Sequence, residues 1–323
     1  MQGSSLELPA GYYLERDPDV LVLRRLDGST VGVFSARGAA PEAVVGAIED
    51  AGLRPPASTL EQAPVTASRS TLRASFFGHF EMFCDGEAVP LGRNGKALAI
   101  LKYLLACRGR PVSQDHLMGW LWPESSPKKA RWSLNSAVHL LRKLLSGCSP
   151  AAMNYVLLEE GYYRLCPDVQ VATDVDEFDA HYERGRRLEK AGQGREAVAA
   201  YEEAVGLYRD DYLLEDLYED WTMVERERLA NAYVDMLWRL ALYYLESGQH
   251  QRSIWACYRL LEKDRCHEDS YRVLMRCYVG LGLRGRALHH YRLCEEVLEQ
   301  EYGTAPSQET RSLYCSLLGD ETA

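Results

Sequence analysis

The sequence predicts an α+β protein, mostly α, in three parts, and three observations carry that prediction. Near the N-terminus, two strand-like runs flank an Asp27-Gly28 pair. Between Leu72 and Leu165, strand patterns, three helical patterns and a further hairpin follow one another. Beyond Val175 the pattern is helical throughout and it repeats. A chain of 323 residues suits two or three domains. Its 46% hydrophobic and 10% aromatic content suits a folded protein.

Residues 1–53 read as a small ββα unit. "DVLVLRRLDGSTVGVFSARG" predicts two strands around the Asp27-Gly28 turn. "PEAVVGAIEDAG" predicts a short helix from Pro41 to Gly52. Residues 54–70, rich in Pro, Ala, Ser and Thr and without periodicity, read as a linker.

Residues 71–167 form the second part. "LRASFFGHFEMFCDGEAVPLG" predicts a β-meander with Asp85-Gly86 as its hairpin turn. "GKALAILKYLLACRG" predicts an apolar helix closed by Gly109. Ser113 offers an N-cap for a second helix, which Pro123 stops. A third helix starts at Ser126-Pro127, where a proline at the first helical position costs no hydrogen bond. "NYVLLEEGYYRL" then predicts a hairpin with Gly161 at a positive-φ turn position. Three helices with a hairpin behind them, preceded by a sheet, make a winged helix.

Residues 168–323 form the third part. Gly192, Gly248 and Gly282 are each followed after five residues by a small residue: Ala197, Ser253 and Ala287. Four residues later stand Tyr201, Cys257 and Tyr291. Gly248 and Gly282 are 34 residues apart, the tetratricopeptide period. The first two glycines are 56 apart, which predicts extra helix around Trp221 to Tyr244.

Charge separates these parts. From Leu91 to Leu145 there are ten Lys or Arg and two acids, inside a chain of net charge -10. A basic block in an acidic chain predicts one polyanion-binding module joined to modules that are not. The third helix holds most of the signal. Leu134, Val138, Leu141 and Leu145 form one apolar stripe, and Arg131, Asn135, His139 and Arg142 form another stripe at similar helical spacing. Lys128 and Lys129 sit in the first turn, where the helix dipole disfavours cations by a few tenths of a kcal/mol each. Lysines there suit phosphate, while Arg and Asn suit guanine and adenine edges. Leu140 beside the polar stripe, and Glu159-Glu160 at the wing tip, depart from a purely cationic surface.

Within these residues lies a resemblance. "LRASFFGHFEMFCDGEAVPLGRNGKALAILKYLLACRGRPVSQDHLMGWLWPESSPKKARWSLNSAVHLLRKL" resembles the OmpR-type winged helix of the SARP family of transcriptional activators. "ATDVDEFDAHYERGRRL", "YEDWTMVERERL" and "EYGTAPSQETRSLY" resemble that family's bacterial transcriptional activator domain. The resemblance implies a sequence-specific regulator that binds direct repeats in double-stranded DNA as a homodimer. It implies recruitment of RNA polymerase, through its sigma subunit. It implies groove or phosphate contacts by Arg131, Asn135, His139, Arg142 and Lys143, phosphate contacts by Arg93 and Lys96, and a wing near the minor groove. Lys128, Lys129 and Tyr162 complete the expected DNA-binding set. Leu140 stands where many members carry Arg.

Other functions find little support. "PLGRNGKA" has Pro90 where a phosphate loop needs Gly, and Ala97 where it needs Ser or Thr. No catalytic motif occurs, so no enzyme activity, cofactor or metal is expected. His289-His290 reads as surface or packing, and Glu202-Glu203 and Glu295-Glu296 as solvated faces. Nine cysteines, an odd number with no C-x-x-C, read as reduced and mostly buried thiols. No run of about 18 apolar residues and no signal peptide is present, which predicts a cytoplasmic protein with no membrane partner. The aromatics of the repeats (Tyr243, Tyr244, Trp255, Tyr258, Tyr271, Tyr278, Tyr291) read as inter-helix core, some of them lining a groove for a small-molecule or peptide ligand. The alternative function is therefore a helical-repeat adaptor or effector sensor with weak or no DNA binding.

Overall fold

The computed structural model describes residues 71–92, 95–146, 155–167 and 169–319, and the backbone of three strands between Tyr12 and Ser35. It divides into two compact units, Met1–Ala67 and Ser68–Ala323.

In the first unit, β1 (Tyr12–Arg16), β2 (Val20–Arg25) and β3 (Thr30–Ser35) form an antiparallel sheet in that order. The sequence predicts only two of these strands. A lone hairpin is marginal in water, and β1 supplies the third strand by pairing Tyr12 with Arg25 through Arg16 with Leu21. The Asp27-Gly28 turn, the helix expected over 41–52 and the linker over 54–70 lie outside the described residues.

The second unit opens with β4 (Thr71–Ser75), β5 (Glu81–Cys84) and β6 (Glu87–Ala88). Asp85 and Gly86 both take positive φ, as a two-residue hairpin turn matched to the strand twist requires. Helices α1 (Gly95–Ala106), α2 (Gln114–Leu121) and α3 (Pro127–Ser146) follow. Ser113 caps α2 by accepting the His116 N–H at 3.0 Å. Its strand β7 (Val112–Ser113) pairs with the hairpin β8 (Val156–Glu159) and β9 (Tyr162–Leu165), in the order β7-β9-β8. Glu160 joins Gly161 at positive φ in the hairpin turn. The expected winged helix is present.

One boundary differs from expectation. A further strand, β10 (Gln170–Thr173), returns to pair in parallel with β4, giving a four-stranded sheet in the order β10-β4-β5-β6. A division at 167/168 would strip the first sheet of its outer strand. Thr173 ends this strand and also caps α4 (Asp174–Lys190) by accepting the Asp176 N–H.

The helical part continues as α5 (Gly194–Leu207), α6 (Asp220–Glu246), α7 (His250–Lys263), α8 (Glu268–Gly280), α9 (Arg284–Tyr302) and α10 (Gln308–Gly319). Gly192, Gly248 and Gly282 turn the chain between α4 and α5, α6 and α7, and α8 and α9, each with φ between 72° and 75°. Ala197, Ser253 and Ala287 are buried where the paired helices meet, as the repeat predicts. The extra length of the first interval is the 27-residue α6. At Gly185 the requirement is close approach rather than φ: a Cβ there would stand 2.3 Å from the Tyr201 ring.

The winged helix and the repeats share one core. The backbone N–H groups of Phe76 and Phe77 donate to the Asp174 carboxylate at 2.8–3.1 Å. Burial pushes that carboxyl up, and the two N–H donors only partly offset it. Phe76 stacks on Tyr212, and Phe77 packs on Phe178 and Tyr208. Lys102 on α1 is 3% exposed and forms ion pairs with Glu215 at 2.8 Å and Asp216 at 2.5 Å, in a 3-10 turn before α6. Burial raises the Glu215 carboxyl, but Lys102 and the Phe80 N–H outweigh it and hold the group below its ordinary value. Tyr103, Trp120 and Trp221 close the seam, and the Trp120 indole N–H donates to Glu219 at 2.9 Å.

Candidate nucleic-acid interface

Helix α3 is two-faced because its sequence is. Leu134, Val138, Leu141 and Leu145 are buried as expected, joined by Ala130 and Ala137. Burying each leucine stabilises by about 1.5–3 kcal/mol and fixes which side of the helix faces outward. Pro127 is the first helical residue, and the Ser126 carbonyl accepts the Ala130 N–H at 2.9 Å.

On the opposite side, Lys128, Lys129, Arg131, Asn135, His139 and Lys143 are exposed. Among the described residues, none of these six side chains has an ion-pair or hydrogen-bond partner. No acid occupies the first turn of α3 to complement its dipole.

The remaining expected contacts are placed differently. Arg142 is half-buried, and its Nε and Nη2 both donate to the Val156 carbonyl, at 3.1 and 2.8 Å. It therefore ties α3 to the wing rather than standing in line with Arg131, Asn135 and His139. Lys96 is exposed at the start of α1, with Nζ 6.0 Å from the Trp122 ring centre. Arg93 lies outside the described residues. Tyr162 is 48% exposed beside the wing turn. A cleft of about 660 Å³ runs between α3 and the wing, lined by His139, Arg142, Lys143, Leu158 and Glu159. The acidic wing is half neutralised, because Arg164 pairs with Glu159 at 2.8 Å.

Part of the basic block serves the fold. Lys102 is buried in its ion pairs, and Arg108 pairs with Asp176 and Asp179 across the seam. Charge counting alone could not separate these from the unpaired cations of α3.

Two exposed apolar residues on α3 escape a reading based on charge. Trp132 is 73% exposed and Leu140 41%. The signal for Trp132 was present in the helical wheel: two residues before Leu134, it lies about 160° from the buried stripe.

Residues 173–318 match the family model of the bacterial transcriptional activator domain. Over 243 residues the chain is 28% identical to the transcriptional regulatory protein MoaR1 of Mycobacterium tuberculosis, covering 75% of this chain and 77% of MoaR1. Over 239 residues it is 30% identical to the transcriptional regulatory protein EmbR of the same species, covering 73% of this chain and 60% of EmbR. The structure of M. tuberculosis EmbR in complex with a low-affinity phosphopeptide matches with a TM-score of 0.61 and 25% identity, over 79% of this chain and 67% of that one. Over about three quarters of its length the chain is thus similar to transcriptional regulatory proteins, and its helical part matches the bacterial transcriptional activator domain. The 243 matched residues exceed what the chain holds beyond Thr173, so the similarity to MoaR1 includes part of the winged helix.

Elsewhere in the chain, some side chains are placed differently from expectation. Glu202 is not a solvated carboxylate: it accepts from Tyr244 and pairs with Arg252, linking α5 to α6 and α7. Glu295 and Glu296 are exposed as expected. His290 is buried, stacks on Tyr278 and bonds the Tyr258 hydroxyl through Nε2 at 3.1 Å. Tyr244, Tyr271, Tyr278 and Tyr291 are core residues. Trp255 is 49% exposed and lines a groove of about 520 Å³ with Tyr233, Tyr244, Arg252 and Arg259. Of the described cysteines, Cys84, Cys257, Cys277 and Cys294 are buried, and Cys315 is exposed. Among the described residues no helix is long and apolar enough to cross a membrane, and no cluster of three or more His, Cys, Asp or Glu could hold a metal ion.

Proposed function

We propose that this protein is a sequence-specific DNA-binding activator that docks α3 in the major groove of direct repeats near promoters and recruits RNA polymerase. One observation carries the reading: a helix face of Lys128, Lys129, Arg131 and Lys143, unpaired among the described residues, around Asn135 and His139, in a chain of net charge -10. Unpaired cations on a rigid helix release condensed counterions from DNA without first breaking internal ion pairs. Lys128 and Lys129 at the helix start hold phosphate, and Arg131, Asn135 and His139 face base edges. Arg142 contributes by fixing the wing, so that Tyr162 reaches the backbone or minor groove. Lys96 and Arg93 extend the phosphate contacts along the start of α1. Two copies side by side occupy a direct repeat, and the repeat domain presents the surface that meets the polymerase, at its sigma subunit.

The test is a mobility-shift titration of the full chain on duplex DNA from upstream of its own gene, with a shuffled duplex as competitor. Retention that survives the shuffled competitor supports the reading. Equal competition by both duplexes, or no retention at low salt, contradicts it.

The groove lined by Trp255 favours a second reading, an effector or peptide sensor. Under it, a bound ligand raises Tm, and Trp255→Ala abolishes the rise without altering DNA retention.

A further inference from the structure

The exposed face of α3 consists of two parallel rows. At spacing i, i+4, i+8, one row is Arg131, Asn135 and His139, continued by Lys143, and every member can hydrogen-bond or carries charge. The neighbouring row is Trp132, Ser136 and Leu140. Trp132 is 73% exposed and Leu140 41%, both on a helix whose other side already supplies its core contacts. The Ser136 hydroxyl between them donates back to the Trp132 carbonyl at 3.0 Å, so its proton is spent inside the helix. The second row therefore offers the outside an indole and an isobutyl group with no hydroxyl donor between them.

A large exposed apolar side chain costs solubility unless something covers it, and the surrounding charge limits what that can be. Among the described residues Lys128, Lys129, Arg131 and Lys143 are unpaired around the row, which suits a polyanion and repels a basic protein surface. On a major-groove floor, the one apolar feature of the base edges is the C5-methyl of thymine.

We propose that Trp132 and Leu140 are specificity-determining residues that read thymine methyl groups, while the adjacent row reads hydrogen-bonding edges. This rests on the proposal that α3 enters the major groove. Eight residues separate the two side chains, about 12 Å of helix rise, comparable to three or four base pairs. Each half-site then carries two thymine preferences that no hydrogen-bonding side chain explains.

The experiment is selection from a random-sequence duplex library prepared in parallel with thymidine or with deoxyuridine, which lacks only the methyl. The full-length protein is compared with Trp132→Ala, Trp132→Phe and Leu140→Ala, each checked for a native circular dichroism spectrum. The wild type enriches thymine at two positions of the half-site, and uridine there weakens binding by about fourfold per methyl lost. Trp132→Ala erases one of these preferences, Trp132→Phe keeps it, and Leu140→Ala erases the other. If the wild type binds the deoxyuridine library as tightly and selects the same motif, the inference is wrong. It is also wrong if Trp132→Ala weakens binding without changing the motif, since that places Trp132 at a protein contact. Failure of every protein to retain any DNA overturns the DNA reading itself, an outcome distinct from both.

Discussion

Helix α3 and the helical repeats use the same cationic side chains in opposite ways. In the repeats, Arg228 pairs with Asp179 and Glu225, Arg239 with Asp235 and Glu189, Arg252 with Glu202, Arg259 with Glu262, and Lys263 with Asp211. Several of these cross from one helix to the next, where each joins a packed surface already held by tyrosines. On α3, Lys128, Lys129, Arg131 and Lys143 have no such partner among the described residues. An arginine in the first setting helps to fix helix order. In the second it does nothing for the fold and is left available for an outside anion. Location of the countercharge, more than the count of cations, distinguishes a structural surface from a binding surface.

That contrast predicts opposite mutational behaviour. Replacing Lys128, Lys129 and Arg131 together by alanine is expected to weaken DNA binding by about a thousandfold while leaving Tm within about 2 °C of wild type. Fluorescence anisotropy with a labelled duplex and a thermal melt read the two effects separately. A fall of 5 °C or more would show that these residues serve the fold.

The seam responds the other way. Lys102→Met leaves Glu215 and Asp216 facing each other without their ammonium, and removing one member of a buried ion pair costs about 3 kcal/mol. Urea titration is expected to show that loss, although Lys102 belongs to the same basic segment as α3. Unchanged stability would break the assignment of Lys102 to structure.

A smaller loss is expected from Gly185→Ala. The Tyr201 ring that a Cβ would strike is held through its hydroxyl to Glu189 at 3.1 Å, so α4 and α5 must separate to admit the methyl. Overpacking of this kind costs about 1–3 kcal/mol. Denaturant melts check it, and DNA affinity per folded molecule stays constant.

The last effect concerns pH. Burial, with the nearby charges of His289 and Arg286, pushes His290 down to about 4. The unfolded chain, with its histidine near 6.5, binds the proton first. Stability from keeping His290 neutral is therefore complete above about pH 6.5 and is lost as pH falls from there toward 4. Melts across that window should flatten in His290→Gln. His267 is also held down by burial and leaves a residual slope in the same direction.

What the sequence disclosed follows from the range of the forces involved. The repeat was legible because Gly192, Gly248 and Gly282 and their small partners act within one helical hairpin. The winged helix was legible because Ser113, Pro127 and Gly161 each act within a turn of themselves. Strand β10 was missed because its partner β4 lies about a hundred residues earlier, and a short parallel strand carries no local mark. Arg142 fell on the correct stripe but turned to Val156, a choice set by the wing's backbone rather than by helical spacing. Lys102 looked like one more cation until Glu215 and Asp216 were brought to it by a turn more than a hundred residues away. Trp132 could have been found, since its angle from Leu134 needs only the helix period.

The central claim is that the unpaired cations of α3 bind phosphate, and the salt dependence of DNA affinity measures it most directly. The logarithm of the association constant for a fixed duplex, plotted against the logarithm of salt concentration, gives a slope of about 0.9 per phosphate neutralised. The account predicts that Lys128→Ala and Lys129→Ala each lower that slope by about one, whereas Arg252→Ala and Arg239→Ala in the repeats leave it unchanged. Equal slopes for wild type and the α3 variants would contradict it.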